Sequence, residues 1–257
     1  MSIELSARIL GLVFVIQSLE LLTLSRARIF QGVWSFSNIQ KDWENFELAK
    51  AFFKFTVFSP VGFSTILFVQ LFLGTFLLLG VNFWVVLTLL LSHILVCFRF
   101  RGTFNGGSDM MLFVVLSGLL IGSWSPQENF RAAGEIYVAI HLFLSYFKAG
   151  LIKIRSADWR SGRALPAFLK RSLFPEIRKL GTKLESRPTL ALWLAGSVVA
   201  FELSIVLVPV FPQMAVSYCG IAIAFHAVNV RVFGLSRFLL VWSAAWPMAL
   251  SAATPFL

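Results

Sequence analysis

Apolar residues in this chain come in long unbroken runs. They do not alternate as in a half-buried strand or form the one-sided stripe of a soluble helix. Eight runs stand out, at about 7–24, 62–79, 83–98, 109–124, 133–154, 189–208, 214–230 and 238–253. Each approaches the ~20 residues that a helix needs to cross a hydrocarbon core of about 30 Å. Lipid offers the backbone no hydrogen-bond partner, so such runs are predicted to be helices. The breaks between them agree. Gly80-Val81-Asn82 is a tight turn, and Asn105-Gly106-Gly107 is another, since these residues accept positive φ. Ser108 or Asp109 is placed to cap the fourth run, and Pro209 and Pro212 close the sixth.

Two connections are longer and carry patterns of their own. Residues 25–61 mix lysines and arginines with aromatic side chains, and 43–58 predicts an amphipathic helix lying in the membrane interface. Residues 155–188 hold nine basic and three acidic side chains, a net +6. Leu165, Phe168, Leu169, Leu173 and Phe174 in that stretch predict that part of it rests on or dips into the membrane. The predicted fold class is therefore all-α: a polytopic membrane bundle of about eight transmembrane helices plus interfacial helices. It forms one domain over 1–257, with no separate soluble domain.

Composition supports the same class. Of 257 residues 58% are hydrophobic and 13% charged, about half the charge of a soluble domain. The net charge of +10 does not point to nucleic acid, because the basic residues sit in short connections between apolar runs. There they set topology and meet anionic headgroups, so the bilayer is the partner they imply. With the connections 25–61, 99–107, 155–188 and 231–237 placed in the cytoplasm, the other side keeps only Arg8 and Arg131, and both termini fall outside. Cys97 and Cys219 lie inside apolar runs without disulfide or metal-ligand spacing, so no metal site is expected. The N-terminal run lacks a small-residue cleavage site and reads as a retained span.

Charge inside the runs is where chemistry can reside. The fifth run holds Glu135, His141, Lys148 and Lys153, and the sixth holds Glu202 near its middle. A lysine in such a helix must be paired, lie near water or lose its proton. At about 100° per residue, Lys148 and Lys153 point roughly 140° apart. Lys153 shares its face with Tyr146, Ala149 and Gly150, small residues that admit a neighbouring helix, so Lys153 is expected to face the bundle. Two readings stay open for each lysine: a snorkelling ammonium, or a desolvated base. All three histidines (His93, His141, His226) also fall inside runs. Together with Glu202 and Lys153 they predict a polar interior able to bind or react.

The stretch Tyr146-Phe147-Lys148-Ala149-Gly150-Leu151-Ile152-Lys153, followed by Ala157-Asp158-Trp159 and Gly162, resembles the vitamin K-dependent γ-glutamyl carboxylase and its bacterial HTTM relatives. Asn105-Gly106-Gly107-Ser108-Asp109 resembles the Asn-Gly-Gly-Asp turn of bacterial members. Phe225-His226-Ala227-Val228-Asn229 resembles a later Phe-His-x-x-Asn segment. The resemblance implies that Lys153 is the base that deprotonates a reduced, vitamin K-like quinone. It implies His226 as a second catalytic residue. Asn105, Asp109, Tyr146, Trp159, Arg155, Arg160, Arg163 and Asn229 would then line the quinol and substrate site, the arginines attracting an anionic substrate. It further implies a location in a bacterial cytoplasmic (inner) membrane, and a peptide substrate or partner protein. The large lumenal domain with which the carboxylase engages its peptide has no counterpart here, and one expected histidine near Asn105 is a glycine.

Three functions follow as expectations. The first is an integral-membrane, quinol-linked enzyme or enzyme subunit that modifies a peptide or small substrate with a buried lysine as base. The second is a non-catalytic scaffold or maturation partner that docks through 155–188. The third is a haem- or quinone-binding electron carrier using paired histidines.

Overall fold

The computed structural model describes residues 1–26, 34–35, 38, 47–100, 102 and 106–253. Among them there is no strand, and all eight predicted runs fall on helices. The helices are α1 (Ser2–Arg26), α2 (Glu47–Phe55), α3 (Pro60–Leu79), α4 (Phe83–Arg99), α5 (Gly106–Gly122), α6 (Glu128–Arg155), α7 (Ala157–Arg160), α8 (Ala164–Lys170), α9 (Pro175–Glu185), α10 (Pro188–Ser204), α11 (Ala215–Phe233) and α12 (Ser236–Ala253). Helices α1, α3, α6, α10 and α11, the last two with their flanking 3₁₀ turns, are long and apolar enough to cross a membrane. Helices α4 and α5 are apolar but stop at 17 residues, or about 26 Å. Helix α12 carries Pro247 within it. The protein is an integral membrane protein.

Local chemistry sets the boundaries. Asn82 starts α4, its Oδ1 accepting from the N–H groups of Trp84 (3.0 Å) and Val85 (3.3 Å). Ser59 caps α3 ahead of Pro60 in the same way. The cap expected at Ser108 or Asp109 lies elsewhere. Helix α5 begins at Gly106, so both residues sit inside its first turn and are buried. Of the predicted interfacial helix 43–58, residues 47–55 are helical as α2, while Trp43 lies outside the described residues.

The chain packs as two compact units. The first comprises Met1–Glu135 and Leu240–Met248, and the second Ile136–Leu239 and Ala249–Leu257. In the first, α1 and α3 pass in contact at glycine. A Cβ on Gly11 would stand 2.7 Å from the Gly74 carbonyl oxygen, and one on Gly74 would stand 2.9 Å from Phe14. Leu21, Leu22, Phe63, Leu67, Val96 and Phe100 form a core beside this crossing. The outer faces are as apolar as the inner ones: Phe68, Phe72 and Phe76, one turn apart on α3, are 54%, 61% and 47% exposed. In water such a stripe would be a liability, but in lipid it is the solvated surface. One part of this unit's polar interior is a relay of neutral groups, although Arg99, Asp109 and Glu135 are buried in the unit as well. Gln17 donates to Gln70 (3.4 Å), Gln70 donates to Ser92 (3.2 Å), and Ser92 donates to the Leu89 carbonyl (2.9 Å).

In the second unit α6 meets α10, and α7–α9 fill the connection between them. Gly150 allows the meeting, because a Cβ there would lie 2.9 Å from Leu203 Cγ and 3.0 Å from its backbone nitrogen. Gly162 has φ +77 and its backbone abuts that of Leu192, so two constraints select glycine there.

Candidate functional site

The site of interest is in the second unit, where α6, α10 and α11 present four polar side chains and an aromatic wall. Tyr146 and Lys153 are seven residues apart on α6, two turns that bring them to one face. That face is the inward one, as the Ala149-Gly150 step predicts. Lys153 Nζ donates to both carboxylate oxygens of Glu202 on α10, at 2.5 and 2.7 Å. The side chains are 20% and 3% exposed. The Trp159 ring covers the ammonium at 5.2 Å from its centroid. Lys148, by contrast, is exposed on the opposite side of α6. Lys148 therefore faces outward, while Lys153 is turned in and paired with a carboxylate.

Near this pair, Tyr146 and His226 on α11 share a hydrogen bond of 2.6 Å, and both residues are buried. Phe201 stands edge-on to Tyr146 at 5.5 Å, and Phe238 lies 5.0 Å from His226. Phe201 also stacks on Tyr218 at 5.8 Å, and the Tyr218 hydroxyl donates to Ser204 at 2.6 Å. The other face of this aromatic wall borders a cavity of about 720 Å³ between α10 and α11, closed at one end by α8. Phe168, Phe201, Tyr218, Phe225 and Asn229 are among its lining residues. The cavity follows α11 for most of its 19 residues, about 28 Å of helix. Neither Lys153 nor Glu202 lines it; Phe201, next to Glu202 in the chain, links the two.

The remaining site candidates sort by location. Lys153 meets Trp159, Tyr146 meets His226 two turns away along α6, and Asn229 joins the cavity wall. Arg155 is exposed at the end of α6. Arg160 turns back to donate to the Ile154 and Arg155 carbonyls at 3.0 and 2.7 Å, satisfying the end of α6. Arg163 pairs with Asp158 at 3.1 Å on the exposed surface. Asp109 belongs to the first unit, buried with its Oδ1 3.9 Å from His93 Nε2. Asn105 lies outside the described residues. His141 Nδ1 lies 2.9 Å from the Tyr137 carbonyl of its own helix.

Sequence reasoning notices Glu202 but does not join it to Lys153. The signal is present: a carboxylate within an apolar run needs a cation, and Lys153 is the inward-facing one. The aromatic wall carries no comparable mark, because Phe201, Tyr218 and Phe225 are ordinary residues in an apolar run.

Chemically, the Lys153–Glu202 pair can take up one proton. If the carboxylate accepts it, a neutral acid stands beside the ammonium. If Lys153 first passes its proton to Glu202, the free amine accepts the incoming one and the same state results. Tyr146 and His226 add a second hydrogen-bonded couple of groups that can hold a proton.

Residues 127–253 match the family model of the HTTM domain. No curated protein matches the chain, and no solved structure does. The match begins just before α6 and ends with α12, so it takes in the lysine pair, the Tyr146–His226 bond and the cavity. The chain carries an HTTM domain over residues 127–253.

Proposed function

We propose that the chain is an integral-membrane enzyme, or the membrane subunit of one, that uses a reduced, vitamin K-like quinone to modify a peptide or small substrate. The observation that supports this most is the inward-facing Lys153 ammonium held on the buried carboxylate of Glu202. Buried ion pairs contribute little net stability, because desolvation offsets their attraction. A proton-handling role gives this one a reason to exist.

The cavity supports the lipophilic partner. Its lining is apolar and aromatic with a few hydroxyl and amide groups, which suits a ring with a hydrocarbon tail. Phe168, Phe201, Phe225 and Tyr218 would hold the ring system, with Asn229 and Ser204 as its polar contacts. When bound, a reduced quinone supplies two electrons and two acidic hydroxyls. The chain's part would be to receive a proton at the Lys153–Glu202 pair, to exclude water with Trp159 and Phe201, and to hold a further proton at the Tyr146–His226 couple. Arg155, exposed at the end of α6, would attract an anionic substrate. On this reading the basic connections lie on the cytoplasmic side of a bacterial inner membrane, a sidedness that the positive-inside pattern supports.

The test is the full chain in nanodiscs with a reduced menaquinone, followed by quinol oxidation and mass spectrometry of co-purified lipophilic molecules. Lys153→Met is expected to lower turnover about a hundredfold or more while the quinone still co-purifies. Unchanged turnover in that variant removes the lysine base. Absence of any bound quinone from the wild-type protein removes the cofactor.

A further inference from the structure

The connection between α6 and α10 carries more positive charge than its own contacts use. Lys170 pairs with Glu185 at 2.7 Å and Arg163 with Asp158 at 3.1 Å. Arg160 is committed to the end of α6. Arg178 donates to the Ser172 and Leu173 carbonyls at 3.1 and 3.0 Å. Arg171, Lys179, Lys183 and Arg187 remain, all exposed and in no ion pair among the described residues. Lys179 and Lys183 lie one turn apart on α9, roughly opposite the Ile177-Gly181-Leu184 face that packs inward.

The α8–α9 hairpin that carries these charges is rigidly built. A Cβ on Gly181 would lie 2.8 Å from the Lys170 backbone nitrogen, so the two helices touch. The buried Ser172 hydroxyl donates to the Val232 carbonyl at the end of α11 (2.5 Å) and accepts from the Phe174 N–H (3.2 Å). Yet this fixed turn leaves Leu173 81% exposed, with Phe174 at 37% and Leu180 at 51%. A flexible loop could fold such residues away, whereas a braced turn presents them. The hairpin is tied by Pro188 to the start of one membrane helix and by Ser172 to the end of another, so it stands at a membrane surface.

We infer that the α8–α9 hairpin is a binding element for anionic phospholipid. Leu173, Phe174 and Leu180 enter the acyl boundary, while Arg171, Lys179 and Lys183 take the phosphate headgroups. Charge complementarity selects an anionic lipid over a zwitterionic one, and the apolar turn selects a bilayer over a soluble anion or an acidic protein. The inference is independent of the enzymatic reading.

The experiment uses the full chain in nanodiscs of phosphatidylglycerol or of phosphatidylcholine, followed by mild detergent extraction and native mass spectrometry of retained lipid. The wild-type protein should retain phosphatidylglycerol over phosphatidylcholine. The triple variant Arg171→Gln/Lys179→Gln/Lys183→Gln should lose about a hundredfold of that preference, at roughly fivefold per charge. Leu173→Asn, which keeps the charges, should weaken retention of both lipids alike and serves as the second variant. Amide exchange over 171–185 in the same discs should slow with phosphatidylglycerol in the wild type alone. Equal retention of the two lipids, or a preference unchanged in the triple variant, overturns the inference. So does full competition by millimolar inorganic phosphate, which would indicate a soluble-anion site. Equal capture of polyglutamate in phosphatidylcholine discs also overturns it, because that would indicate an acidic protein partner.

Discussion

Two buried polar arrangements, one in each unit, differ in character. In the first, Gln17, Gln70 and Ser92 pass a chain of neutral hydrogen bonds from α1 through α3 to α4. In the second, Lys153 and Glu202 bring full charges into an apolar setting. Neutral amides lose little on leaving water if they find partners, and they hold helices in register. Charges lose much more, and hydrophobic replacements of similar volume often serve stability equally well. The relay therefore needs no explanation beyond packing. The ion pair does, and it lies near an aromatic wall that backs a cavity.

The largest effect should come from splitting the ion pair. Glu202→Gln leaves the Lys153 ammonium inside without a counter-charge and should cost about 3–5 kcal/mol in thermal unfolding of the detergent-solubilised protein. The double variant Lys153→Met/Glu202→Leu should recover most of that stability without recovering quinol oxidation. Recovery of both would mean that the charges serve neither fold nor chemistry, and the contrast with the relay would dissolve.

A middle effect should come from the two glycine crossings, which resemble each other in shape but not in what lies beside them. Gly74→Val in the first unit and Gly150→Val in the second each force a side chain into a backbone contact. Each should cost about 1–3 kcal/mol, read by the same unfolding assay. Leu203 follows Glu202 directly, so pushing α10 away at Gly150 should also displace the carboxylate. Quinol oxidation should fall in Gly150→Val beyond what its lost stability explains, and it should not in Gly74→Val. Equal activity losses would show that the second crossing is packing alone.

These contrasts also show what could be read without coordinates. The helices were legible because lipid imposes a single rule on backbone and side chain over about twenty residues. The inward turn of Lys153 was legible because Ala149 and Gly150 mark the face where another helix comes close. The choice of partner was harder, since Glu202 lies 49 residues away and its match to Lys153 depends on the path of α7–α9 between them. The start of α5 was misjudged because a buried aspartate in a first turn looks like a cap in sequence, although here it faces His93. The cavity was invisible, since it depends on the gap between α10 and α11 and not on any residue type.

The smallest effect is the most discriminating, because it compares neutral hydrogen bonds in the two units. Gln70→Leu removes the acceptor for Gln17 and the donor to Ser92, two bonds in all. Tyr146→Phe removes one, to His226, and keeps the ring against Phe201. Side-chain hydrogen bonds within membranes average about 0.6 kcal/mol, so the losses should be near 1.2 and 0.6 kcal/mol. On stability alone, then, the relay should matter more. On the proposed quinol turnover the order should reverse: Gln70→Leu should keep the wild-type rate, while Tyr146→Phe should slow several-fold, because its hydroxyl would belong to the groups proposed to hold a proton. Should both variants follow stability alone, the Tyr146–His226 bond would be a helix tie like the relay, and proton handling would rest on the lysine pair by itself.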